Sequence, residues 1–232
     1  MMKKAYGRKT RRKVSHILKE TQRTHALQLL EEIPDEQLVN HLFHHFYMGD
    51  ELLKFRAVTA MGQLGMRLAA RKMERARILM RRIMWNLNDE SGGIGWGSPE
   101  AMGEILGQSQ ELAREFKSIL FSYLDTGKNH IEHDLLQRGV IWGVGTYLKA
   151  APQELEPVTE GMLHLYLRSK DPIKRGYACR ALIHAQAFDC RKIPADIATD
   201  TASLDIYTGW NFVESRISDM AHACTTRKLE TV

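Results

Sequence analysis

Apolar residues recur along this chain at the three-to-four spacing of helices that bury one face. Leu38, Leu42 and Phe46 fall at steps of four, with Val39, Phe43 and Tyr47 beside them. Leu79, Ile83 and Leu87 repeat the pattern with Met80 and Met84 adjacent. A third stripe runs through Leu112, Phe116, Ile119, Leu120 and Tyr123, and a fourth through Val158, Met162 and Tyr166, flanked by Leu163 and Leu167. No segment combines strict alternation with bounding turn residues strongly enough to argue for a sheet. The pattern predicts an all-α chain.

A second periodicity lies over the first. Arg56-Ala57-Val58-Thr59-Ala60-Met61-Gly62-Gln63-Leu64-Gly65 is rich in small residues, and Ala101-Met102-Gly103 echoes Ala60-Met61-Gly62 41 positions later. Arg138-Gly139-Val140-Ile141-Trp142-Gly143 and Arg175-Gly176-Tyr177-Ala178-Cys179 continue the series. Glycine in mid-helix costs up to about 1 kcal/mol relative to alanine. Its return about every forty positions, each time after an amphipathic helix, makes sense where another helix must approach closely. The chain therefore reads as about four helical pairs, near 35–65, 72–108, 111–150 and 155–187. Residues 24–33 are expected to cap one end. The segment 188–232, with Trp210, Val213, Ile217 and Met220 on one side, is expected to cap the other. Stacked repeats need such caps because each unit buries its apolar face only against its neighbours.

The small-residue helices carry a family resemblance. Asp171-Pro172-Ile173-Lys174-Arg175 and, less closely, Asp134-Leu135-Leu136-Gln137-Arg138 resemble the opening of second helices in bacterial HEAT-like repeats of the lyase-associated type. In that family an Asp, an apolar residue and an Arg precede small residues. The first pair keeps Arg56 but displaces the acid to Asp50 or Glu51, and the next has Gly97 where the Arg would stand. The resemblance covers about residues 35–187 and implies a HEAT/armadillo-like α-α superhelix. The stretch from Trp85 to Glu104 further resembles an uncharacterised HEAT-like family of sulfate-reducing bacteria, which supplies no activity.

Composition alters this picture in two places. Hydrophobic content of 44% with 26% charged residues is ordinary for a globular protein. The net charge of +5 is unevenly distributed. Residues 1–23 hold nine Lys and Arg against Glu20, and the remainder holds 24 basic against 27 acidic residues, a net −3. A basic N-terminal arm on a mildly acidic body is expected, the arm solvated by default. Its Lys3, Lys4, Arg8, Lys9, Arg11, Arg12 and Lys13, with Arg67, Arg71 and Arg75 at steps of four, are the candidates for binding a polyanion such as nucleic acid. No apolar stretch follows the basic start and none is long enough to span a bilayer, so a secretory signal and membrane insertion are not expected. Cys179, Cys190 and Cys224 are odd in number and lack C-x-x-C spacing, which suggests reduced structural thiols in a cytoplasmic protein.

Chemistry concentrates in one loop. Between two helices stand Trp85, Asn88, Asp89, Glu90, Ser91, Gly92, Gly93, Gly95, Trp96, Ser98 and Glu100, far longer than repeat turns usually are. Ser98-Pro99-Glu100 predicts a helix start with Ser98 as N-cap. The loop lacks the Gly-Lys-Ser/Thr ending of a phosphate-binding loop and the alternating acids of an EF-hand. Either Trp85 and Trp96 pack together over an awkward turn, or the loop meets a partner. His41 and His45 share a helix face and His130 and His133 lie close, but neither pair brings the third or fourth ligand a metal needs. Neither a metal nor a cofactor is expected, and no catalytic set stands out. The reading is a non-enzymatic scaffold that binds another protein or peptide through this loop. The alternatives are a nucleic-acid-binding or DNA-repair protein and, by fold analogy alone, a lyase or isomerase.

Overall fold

A computed structural model describes residues 2–88, 95–185 and 188–229, with side chains given for 7–88, 95–185 and 188–224. The chain is mostly helical. It enters through α1 (Met2–Ile17) and α2 (Arg23–Glu31). Four helical hairpins follow: α3 (Asp35–Phe46) with α4 (Glu51–Arg71), α5 (Met73–Leu87) with α6 (Ser98–Gln108), α7 (Gln110–Ser122) with α8 (Asp134–Ala150), and α9 (Pro157–Leu167) with α10 (Pro172–His184). In each hairpin the first helix packs on its own second helix, while α4, α6, α8 and α10 pack side by side in chain order.

Local chemistry starts the second helices. Asp50 accepts a hydrogen bond from the Leu53 amide at 3.0 Å, and Asp171 from the Ile173 amide at 2.9 Å. Each closes an otherwise orphaned N–H of the first turn. The small residues then set how near the helices come. A Cβ on Gly103 would stand 2.3 Å from the Gly143 carbonyl oxygen, one on Gly143 2.5 Å from the Pro99 carbonyl, and one on Gly65 2.8 Å from Ile105. Gly103 and Gly143 are where neighbouring backbones touch, and Gly65 makes room for a side chain of α6.

Successive second helices are also tied by charge. Arg138 reaches Asp171 at 2.6 Å, Lys174 reaches Asp134 at 2.6 Å, and Arg175 reaches Asp200 beyond the last hairpin at 2.7 Å. The acids and bases of the two sequence motifs thus bridge between units rather than within them.

The C-terminal segment departs from the expected end cap. After α11 (Ala195–Ala198), β1 (Ser203–Tyr207) and β2 (Phe212–Arg216) form an antiparallel hairpin in which Leu204 faces Ser215 and Ile206 faces Val213, and α12 (Ile217–Leu229) follows. The alternation of Leu204 and Ile206 and the positive φ of Gly209 in the turn explain the strands. This hairpin lies across the row of second helices. Leu204 sits against Gly176 of α10; Tyr207 stacks on Phe55 of α4 at 5.1 Å and lies 6.3 Å from Trp142 of α8; its hydroxyl meets Thr59 at 3.0 Å. Arg56 fastens the far end, donating from Nε to the Trp210 carbonyl, from Nη1 to the Leu18 carbonyl and from Nη2 to Asn211 Oδ1. Trp210 in turn donates to the Glu20 carbonyl at 2.7 Å. The chain's own hairpin thus covers part of the row of second helices and ties the last helical hairpin to the first.

Two further features add to the expectations. The basic N-terminal segment is helical, its charged residues from Arg8 to Lys13 exposed, while Val14, Ile17 and Leu18 at its end are 0%, 2% and 0% exposed. Their i, i+3, i+4 spacing gives α1 an apolar edge that docks against α3. The thiols are not all free. Cys190 and Cys224, 34 residues apart with Cα atoms 5.8 Å from each other, form a disulfide as α12 packs on the turn at Cys190–Lys192. Cys179 stays buried in α10, and burial pushes its thiol up to about 12.

Candidate functional site

Where the second helices begin, their N-terminal ends and β1 enclose a cleft of about 1070 Å3. Its walls come from every hairpin. Phe46 stands at the end of α3, Lys54 on α4, Trp96 and Glu100 at the start of α6, Arg138 on α8, and Tyr177 on α10.

Trp96 reaches this cleft because the chain turns sharply before α6. Gly97 has a φ of +71°, which a side chain would strain, and a Cβ there would stand 2.7 Å from the Phe46 ring. Gly95 packs with equal closeness on the Asn86 carbonyl. Gly97 therefore takes the capping position expected of Ser98. Ser98 becomes the first helical residue, fully buried, its hydroxyl without a hydrogen-bond partner among the described residues. The left-handed turn carries Ser98 inward, so its side chain faces the core instead of folding back over the helix end.

Trp96 is half-buried, edge-on to His133 with ring centroids 5.3 Å apart, while Trp85 is 74% exposed on α5. The two tryptophans stand in different surroundings. Asn88 is exposed at the end of α5. Asp89, Glu90, Ser91, Gly92 and Gly93 lie outside the described residues.

Glu100 forms part of the cleft floor and is 5% exposed. Its Oε1 lies 3.7 Å from Lys54 Nζ, and its Oε2 has no hydrogen-bond partner among the described residues. Burial raises its pKa above the usual carboxylate range, with Lys54 working in the opposite direction. The carboxyl group fits because α8 carries a glycine beneath it: a Cβ on Gly139 would stand 2.6 Å from Oε2. Lys54 spans Glu51 at 2.6 Å and Glu100, with its ammonium 4.9 Å from the Phe55 ring centroid. Tyr177 is 7% exposed, and burial raises its pKa, with the Glu100 charge adding to the effect.

The basic residues divide into two groups. Arg67 and Arg71 both reach Asp35, at 2.5 and 3.4 Å, and Arg75 lies 3.7 Å from Glu36. Their charge is met by acids of α3. Arg8, Lys9, Arg11 and Arg12 are exposed on α1, and Lys13 bridges to Glu32 at 3.1 Å. The side chains of Lys3 and Lys4 lie outside the described set. His45 is fully buried and spends both ring nitrogens structurally: Nδ1 donates to the His41 carbonyl at 2.8 Å, and Nε2 meets the Ser15 hydroxyl at 2.9 Å. Burial lowers its pKa, as a neutral ring fastening α1 to α3 requires.

Lys54, Tyr177, Asp205 and Phe212 line the same cleft as Trp96 and were not singled out from the sequence, and Arg138, which lines it too, was marked only as a repeat-motif residue. They come from different hairpins and from β1 and β2, so no local spacing marks them. One signal did exist. The mid-helix glycine at 139 demanded a close neighbour, and that neighbour is Glu100.

No protein-family model matches the chain. It is 27% identical over 195 residues to an uncharacterised protein of Archaeoglobus fulgidus, an alignment spanning 82% of this chain and 95% of that protein. Among the described residues, no helix is long and apolar enough to cross a membrane.

Proposed function

We propose that this chain is a HEAT-like repeat scaffold that holds an extended segment of a partner protein in the cleft at the start of its second helices. The reading rests on one observation above others: the cleft is large, walled by aromatic side chains, and rimmed by apolar residues left in water. Tyr47 is 47% exposed, Met48 41% and Leu135 46%, all around a space of about 1070 Å3. Clustered exposed apolar side chains beside a concavity are characteristic of partner sites, whereas isolated ones need no explanation. Trp96 supplies the large aromatic surface that dominates such contacts. The hairpin covers α4, α8 and α10 in the middle of the row, and this end of the row is left open.

A random-peptide display library selected on the wild-type protein and on Leu135→Asp tests the reading. Leu135 is exposed, so the variant keeps the fold, as circular dichroism would verify. Enrichment on wild type, weakened about tenfold by the variant, is the expected result. Failure to enrich any peptide, or equal enrichment on both proteins, overturns it.

A second reading is favoured by α1. Arg8, Lys9, Arg11 and Arg12 are exposed, and none meets a carboxylate among the described residues. A helix with that surface suits a polyanion such as nucleic acid. A gel shift at low salt, lost when Arg8, Arg11 and Arg12 are changed to Gln, supports this role; no shift at low salt removes it.

A further inference from the structure

The charge in the cleft runs against the charge of the chain. The protein carries a net +5, yet among the described residues the cleft is lined by Asp50, Glu51, Glu100 and Asp205 against only Lys54 and Arg138. Arg138 is already held by Asp171 at 2.6 Å. The Lys54 ammonium is left to face Glu51 and Glu100, at 2.6 and 3.7 Å. Helix N-termini ordinarily attract anions. Here two of those ends are already occupied by the protein's own acids, Asp50 on the Leu53 amide and Asp171 on the Ile173 amide. What the site lacks is positive charge.

A second observation points the same way. Glu100 is more than nine-tenths buried, and Oε2 has no hydrogen-bond partner among the described residues. Buried polar atoms are nearly always hydrogen-bonded, and an exception calls for a donor from elsewhere. The walls suit a cation as well as an apolar group, because aromatic faces attract ammonium and guanidinium ions. Lys54 already shows the arrangement in miniature, with its ammonium set between Glu51, Glu100 and the Phe55 ring.

We infer that the cleft is a binding site for a cationic group, a guanidinium or ammonium, drawn in by Asp205 and Glu51 at the rim and received by Glu100 at the floor beside Trp96 and Tyr177. Its carrier, a basic side chain on a protein segment, rests on the proposed function above. The cation site itself does not.

Two sets of probes separate the two claims. Arginine amide and lysine amide are titrated against wild type, Glu100→Gln and Asp205→Asn while the indole N–H resonance of Trp96, assigned with Trp96→Phe, is followed by NMR. In parallel, peptide pools with a central Arg, norleucine or Glu are measured for binding. The expected result is a saturable shift of the Trp96 signal with both amides, weakened about tenfold in Glu100→Gln and less in Asp205→Asn, with Arg pools preferred. Asp205 is exposed, so its variant remains informative should Glu100→Gln fold poorly. If peptides bind without regard to the central residue and the amides shift nothing, the cation site is overturned while the segment-binding reading stands. If the amides bind in the expected pattern but no pool is retained, the cation site stands and the segment is removed. If nothing binds, both fail.

Discussion

The first and second helices of the hairpins are built to different rules, and their glycines show it most plainly. In α5 only four of 15 residues are buried, whereas α4 buries 12 of 21 and α8 11 of 17. The first helices cover the row from outside and keep one face in water. The second helices are enclosed by neighbours on several sides and, over α4, α8 and α10, by the hairpin. Gly161, in the first helix α9, has nothing within 4 Å of where a Cβ would be. Gly103 and Gly143, in second helices, face each other's backbone surroundings at 2.3 and 2.5 Å. The same residue is a weakness in one helix and a condition of assembly in the other.

The sharpest way to break this comparison is Gly103→Ala. The added methyl must push α6 from α8, and backbone on the far side has nowhere to yield. A loss of about 3 kcal/mol or more in unfolding free energy is expected, measured by urea titration. A variant as stable as wild type would remove the close-approach account of the glycine repeat.

Carboxylates sharpen it next. Glu115 on the first helix α7 is bound by Arg77 at 2.7 Å in the open, which holds it below the usual range. Glu100 on α6 is buried, and its pKa is raised. Above the unfolded pKa of Glu100 the unfolded chain releases a proton that the native protein retains, so native stability falls as pH rises toward the folded pKa. Glu100→Gln should therefore melt at a higher temperature than wild type at pH 7.5, and the two curves should converge as pH drops below the ordinary carboxylate range. Glu115→Gln should leave the neutral-pH melting temperature nearly unchanged. Equal behaviour of the two variants at all pH values would place Glu100 in water.

The smallest effect has the opposite sign. Gly161→Ala adds a methyl in open space and removes backbone freedom from the unfolded chain. A gain of about 0.5 to 1 kcal/mol is expected by the same urea titration.

How much of this was legible depended on the range of the interactions. The stripes through Leu38, Leu79, Leu112 and Leu163 marked the first helices because burial of one face is written at helical spacing. The small-residue segments pointed to close helix contacts for a related reason, since only glycine and alanine permit them. Trp96 and Glu100 drew attention because a long Gly-rich connection is unusual. Their companions in the cleft did not, because Lys54, Tyr177 and Asp205 converge only when hairpins and β1 are stacked. Cys190 and Cys224 likewise form a pair through the packing of α12 and not through any spacing motif. Val14, Ile17 and Leu18 were hidden by the charge around them, although their spacing was that of a buried edge.

By itself, then, the order of residues determined the helical class, the rhythm of the pairs and the places where backbones had to touch. These follow from periodic burial and from side-chain size, both properties of near neighbours along the chain. Tertiary structure decided that the C-terminal segment would form strands and lie back over the row to reach Arg56, and that four helix starts would surround one buried carboxyl group. Those outcomes depend on which surfaces remain uncovered after the hairpins have packed, a quantity that no stretch of sequence carries alone.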